Sequence, residues 1–154
     1  MSHLFIKSSI RAYVLTKTAN LLTYTQATDN AAWTKTNCTS VDGATDPVSG
    51  TAAETVTATN SNATLTQSQT LPAGTYTFSV YLKRKTGTGN VSISVDGSTW
   101  VVKAITGSWT RWETNLSISA GTATPGIKIA TNADAVYVYG AQLEYGNSAT
   151  TYAA

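Results

Sequence analysis

The chain has 154 residues, a formal net charge of +2 and only 12% charged residues. That length suits one domain with a core of its own. So small a charge excludes a nucleic-acid binder that works by neutralising phosphates.

Thr, Ser, Ala, Gly and Val dominate, which disfavours helices and favours many short strands. Residues 1–19 stand apart. They hold His3, Lys7, Arg11 and Lys17 and no acid, with apolar Leu4, Phe5, Ile6, Ile10, Tyr13, Val14 and Leu15. This pattern fits neither strict alternation nor a helical stripe. Two readings stand: a first strand that docks on the domain, or an arm that lies on a neighbouring subunit or partner. Lys7 and Arg11 interrupt the apolar run, so no secretory leader is expected. No stretch approaches the roughly 20 apolar residues of a membrane-spanning helix. Cys38 is alone, so no intrachain disulfide can form, and a free thiol fits assembly in a reducing cytosol.

The domain proper is read as residues 20–154, opening at Asn20-Leu21-Leu22. Trp33-Thr34-Lys35 follows a polar loop. Asp42-Gly43, Asp46-Pro47 and Ser49-Gly50 predict a long turn-rich connection. Glu54 to Ala58 reads as a strand. Thr64 to Gln69 reads as a polar strand near an edge. Leu71-Pro72-Ala73-Gly74 is a turn. Tyr76, Phe78, Val80 and Leu82 then alternate with Thr77, Ser79, Tyr81 and Lys83, the clearest strand pattern in the chain. Val91 to Val95 alternates up to the hairpin signal Asp96-Gly97. Further strands are expected over Trp100–Ile105, Trp109–Ile118 and Ile127–Ile129. Ala135 to Glu144 is bulky on both faces and belongs in the middle of a sheet. No crossover helix fits between these runs, so the fold is all-β, an antiparallel β-sandwich or jelly roll.

Asn20-Leu21-Leu22, Asn30-Ala31-Ala32-Trp33-Thr34-Lys35, the run Leu71 to Lys83, Trp109-Thr110-Arg111-Trp112 and Gly140-Ala141-Gln142-Leu143-Glu144 come in one order. That ordered set resembles the carbohydrate-binding-module-like jelly-roll domain of tailed-phage virion proteins. The resemblance implies a structural virion protein. One form is a head decoration, or cement, subunit on the capsid surface, assembled in the host bacterial cytoplasm. Its partner would be the major capsid protein, and it would form a dimer or trimer. Many modest contacts would then add through effective concentration. The basic-apolar segment would supply them through Phe5, Ile6, Lys7, Ile10, Arg11 and Tyr13. The alternative is a glycan-binding module of a tail or fibre tip.

For that alternative, Trp109 is the best sugar-stacking candidate. It shares a strand phase with Arg111 and Glu113, whereas Trp112 and Trp100 share phases with apolar residues and are expected in the core. Lys83-Arg84-Lys85 reads as a solvated strand end, or as a contact for an acidic surface. The sequence is read as a non-enzyme. His3 has no evident nucleophile partner, and Asp42, Asp46 and Asp96 sit in turns. Nothing brings Glu54, Glu113 and Glu144 together as a glycosidase pair. No cofactor or metal is expected. Jelly rolls of the resembled kind often hold a structural calcium, but the stretch after Leu22 offers Thr and Gln before Asp29.

Overall fold

Twelve strands and no helix form residues 19–154, the part of the chain that the computed structural model describes. In order they are β1 (Thr34–Thr36), β2 (Cys38–Ala44), β3 (Ala53–Ala58), β4 (Ala63–Thr66), β5 (Gln69–Leu71) and β6 (Gly74–Thr86). Then come β7 (Val91–Ser94), β8 (Val101–Lys103), β9 (Thr110–Ile118), β10 (Gly121–Ala123), β11 (Gly126–Ile129) and β12 (Ala135–Tyr145). Two five-stranded antiparallel sheets, β2-β3-β12-β6-β9 and β1-β4-β11-β7-β8, face each other, and β10-β5 forms a short ribbon. The fold is the antiparallel jelly-roll sandwich that the strand spacing predicts. The arm residues Phe5, Ile6, Lys7, Ile10, Arg11 and Tyr13 lie outside the described residues.

Alternation decides which residues meet in the middle. Phe78, Val80 and Leu82 of β6 and Val56 of β3 pack against Leu65, Val91, Ile93, Ile127 and Ile129 of the facing sheet. β12 lies between β3 and β6, the central place that its two bulky faces predict. Tyr139 pairs with Tyr81, but the next pair is Gln142 with Ser79, so one extra residue enters β12. Gly140 takes up the irregularity at φ 63°. The extra residue switches the phase. Val136 and Val138 point inward before it, and Ala141 and Leu143 after it.

Beyond this bulge, the start of the domain takes over β12's free edge. Leu21 N–H donates to Leu143 O (2.9 Å) and Ala141 N–H to Thr25 O (3.2 Å). Asn20 Nδ2 donates to Ala141 O, and Leu143 N–H donates to Asn20 Oδ1, both at 3.1 Å. The Asn20-Leu21-Leu22 and Gly140–Glu144 motifs are therefore two sides of one contact.

Two expectations are corrected, the start of the turn-rich connection and the place of Trp100. The turn-rich connection starts later than expected: β2 runs through Asp42-Gly43 with a bulge and ends at Ala44, while Asp46-Pro47 and Ser49-Gly50 lie in the loop that follows. β4 stands near the edge as expected, one place in from it, because β1 covers it. A Thr-Lys-Thr strand is too short to show a period. Trp100 precedes β8 and lies half-buried on the surface under Lys128, whose Nζ is 5.1 Å from the ring centroid. Its neighbour in phase, Val102, is 55% exposed, so that face of β8 is not core.

Two charged side chains fix the entry loop. The Lys35 ammonium donates to the carbonyls of Asp29, Asn30 and Trp33 at 3.0 Å and of Thr28 at 3.3 Å. Glu54 lies on the inner side of β3, wholly buried. Thr28 and Ser40 hydroxyls donate to its Oε2, while Oε1 has no partner.

Lys35→Met should lower stability by about 2 kcal/mol, since several charge-assisted bonds are lost while the stem's packing remains; thermal unfolding measures it. Burial raises the Glu54 pKa, against smaller opposing hydrogen bonds from Ser40 and Thr28. A raised folded value means that the folded state holds the proton longer. That stability is complete below the unfolded value, near pH 4, and is lost as pH rises through the folded value. Glu54→Gln should therefore unfold at a higher temperature than wild type near pH 7, with the gap closing towards about pH 4.

Candidate functional site

The outer face of the β2-β3-β12-β6-β9 sheet carries several aromatic and charged side chains in rows across the strands. In the first row Val41, Thr55, Tyr137 and Lys83 are successive register partners. Trp109, one residue ahead of β9, joins this row, its ring centroid 6.3 Å from that of Tyr137 with the planes at 46°. Lys83 and Lys85 set their ammonium groups 5.7 and 5.5 Å from the centre of the same Tyr137 ring. The second row is Tyr139, Tyr81 and Arg111. The Tyr rings meet edge to face at 6.0 Å, and the Arg111 guanidinium carbon is 5.7 Å from the Tyr81 ring. Gln142, Ser79 and Glu113 form the third row, and Glu144, Thr77 and Asn115 the fourth.

The rows differ in what covers them. The segment after β12 turns back over the lower three. Thr77 Oγ1 donates to Gly146 O (2.8 Å) and Asn115 Nδ2 to Asn147 O (3.2 Å). Ala149 N–H donates to Glu113 (3.3 Å), and Thr150 gives both its N–H (3.0 Å) and its hydroxyl to Glu144. Arg111 reaches back to the Thr150 carbonyl with one nitrogen and to Ser79 Oγ (2.8 Å) with the other. Tyr152 stacks edge-on against Tyr139 at 5.6 Å and hydrogen-bonds Thr25 at 2.7 Å. Burial raises the Tyr139 phenol pKa, with Tyr152 adding to it. The tail explains why Thr77 and Ser79, on an outward phase, are 0% exposed. The first row stays open: Val41 is 59% exposed, Lys85 is exposed, and Trp109, Tyr137 and Lys83 are half-buried.

The two glycan-binding residues read from the sequence, Trp109 and Arg111, thus share one face, in adjacent rows. Trp109 borders open surface, while Arg111 is held by the tail. Trp33 is 3% exposed and Trp112 packs against the core, so neither offers a free ring. Sequence reasoning missed Tyr81, Tyr137 and Tyr139. Its signal was present, since Tyr137 and Tyr139 alternate with valines, but bulk on both faces read as packing alone. β12 is both the middle of the sheet and the floor of the site.

The carboxylates do not form one cluster. Glu54 faces into the sandwich, while Glu113 and Glu144 lie outside and accept tail amides. Among the described residues, no group of three His, Cys, Asp or Glu could hold a metal. The entry loop does not fit a calcium ion either, because its carbonyls already converge on the Lys35 ammonium. At the other end of β6, Leu21, Leu71, Pro72, Tyr76 and Tyr145 border a groove of about 450 Å³ with no charged side chain.

No family model and no curated protein sequence matches the chain. Solved structures match in fold. The CBM22-1 xylan-binding domain of Paenibacillus barcinonensis Xyn10C aligns with TM-score 0.64 at 15% identity, over 86% of this chain and 98% of that one. The TmCBM61 module in complex with β-1,4-galactotriose aligns with TM-score 0.60 at 17% identity, over 84% of this chain and 100% of that one. The enzymatically active domain of tailspike protein 4 of bacteriophage CBA120 aligns with TM-score 0.59 at 12% identity, over 82% of this chain but 21% of that one. At these identities the likeness establishes the jelly-roll fold.

Thr150→Val removes the hydroxyl bond to Glu144 and should loosen the tail. Hydrogen exchange at the Thr150 amide is expected to speed up about tenfold, the value of one charge-assisted hydrogen bond, with core strands unchanged.

Proposed function

We propose that the chain is a non-catalytic glycan-binding module that takes its ligand on the outer face of the β2-β3-β12-β6-β9 sheet, at the open row around Trp109 and Tyr137. One observation carries this reading: a half-buried aromatic pair that borders open surface, with polar neighbours, on a rigid sheet face. Sugars present apolar C–H faces that stack on rings, and hydroxyls that need polar partners beside them. Here Trp109 and Tyr137 supply the rings, and Thr55, Lys83 and Lys85 the hydrogen-bonding groups. A floor of paired strands holds them with little freedom to lose on binding.

The shared fold supports this over the head-decoration reading. The fold is shared with modules described as xylan-binding or solved with a galactotriose. The residues assigned to the major capsid protein contact, Phe5, Ile6, Lys7, Ile10, Arg11 and Tyr13, lie outside the described residues. A virion setting keeps one supporting observation, the likeness to part of a phage tailspike, and that points to a tail rather than a head. The non-catalytic part of the proposal is supported by the occupation of Glu113 and Glu144 by the tail and by the inward turn of Glu54.

Trp109→Ala and Tyr137→Ala should each weaken binding to a glycan selected from a diverse array by about tenfold or more, in keeping with the loss of one stacked ring. Circular dichroism should match wild type. An array on which no glycan binds wild type above background sinks the proposal.

A further inference from the structure

We infer that the ligand class of this face is an acidic polysaccharide, one whose sugars carry carboxylates. The inference rests on the glycan-binding reading above and adds the chemistry of the ligand. Lys83 and Lys85 bring two ammonium groups to within 5.7 and 5.5 Å of the centre of one ring, that of Tyr137. Two like charges so placed repel each other. Here, among the described residues, the one ion pair within 4 Å is Arg84 with Asp134, at 3.5 Å. Arg84, between the two lysines in sequence, points the other way and also donates to Gly89 O. The middle residue of the basic run is thus neutralised, and the two outer ones are left without an acidic partner over an aromatic ring.

The acids of this face lie elsewhere. Glu113 and Glu144 occupy the third and fourth rows and are engaged by the tail. The face is therefore divided by charge: a cationic, aromatic, open end, and an acidic end roofed by the chain itself. In a protein with only 12% charged residues, two uncompensated cations at the open end make a marked local field. A neutral sugar would stack on Trp109 but leave both ammonium groups unneutralised. A uronic acid keeps the apolar ring face for Trp109 and adds a carboxylate on C6. Neighbouring strands are about 4.8 Å apart, so a sugar on Trp109 at the β9 side sets that carboxylate beside Lys83 and Lys85.

Binding of the full chain would be measured against three polymers: polygalacturonate, the same polymer with its carboxyls reduced to alcohols, and polyglutamate as a sugar-free polyanion. The proposal expects polygalacturonate to bind at least about tenfold tighter than the other two, with affinity falling as salt rises. Lys83→Gln with Lys85→Gln should remove most of that preference, Lys83→Arg with Lys85→Arg should keep it, and Trp109→Ala should weaken polygalacturonate binding. Equal binding of the acidic and reduced polymers, lost in Trp109→Ala, would overturn the acidic class and leave the glycan reading standing. Equal binding of polyglutamate, insensitive to Trp109→Ala, would overturn both in favour of plain charge attraction. Absence of binding to all three overturns the acidic class by itself, and the array test above then decides the wider reading.

Discussion

A central strand must keep one face dry along its whole length, and β12 does so only because it gains one residue at Gly140. Strict alternation from Val136 and Val138 would bring Gly140, Gln142 and Glu144 inward. That would place a carboxylate and an amide among Phe78, Val80 and Ile127, at a cost of several kcal/mol. The bulge turns Ala141 and Leu143 inward instead, and sends Gln142 and Glu144 out beside Tyr137 and Tyr139. Core and candidate site are thus two outcomes of one register shift. The space is tight as well as the torsion: a Cβ on Gly140 would meet the Tyr152 ring at 3.0 Å. The backbone that corrects the core also seats the tail.

Charge follows the same division. Lys83, Lys85 and Trp109 gather where β6 ends and β9 begins, because those strands pair in antiparallel register. Glu113 and Glu144 lie further along, where the chain's own amides reach them. The Lys35 ammonium is used differently. It is a resident cation that closes the entry loop with main-chain carbonyls. One kind of side chain serves as structural counter-ion in one place and as an unmatched surface charge in another, and the partners within reach make the difference.

Much of the fold is legible in the sequence because its main strands carry long, regular periods. β6 alternates from Tyr76 to Lys83, and β12 carries valines and tyrosines on opposite faces. β1, β5, β8 and β10 are only three residues each, too short for a period to appear. β2 is obscured by an Asp-Gly pair that usually marks a turn but here sits in a bulge. In the site, Trp109 and Arg111 follow from strand phase alone. Tyr81, Tyr137 and Tyr139 do not, because a ring on an outward phase looks like any other strand residue until the covering of each row is known. The tail was illegible for a further reason. Its bonds join Asn147 to Asn115 and Thr150 to Arg111, and such long-range pairings leave no local mark.

The roof over the lower rows bears on the shape of any ligand. A trough open at both ends lets a long polymer lie through it, so that any internal stretch can bind. This face is blocked along the strand direction by Thr150 and Tyr152 after a single row. A chain entering from the Lys85 end runs into a wall. A polymer bound there as proposed would meet the shelf with a terminus, a side branch or a crossing over the strands, and not with a repeat continuing beneath the tail.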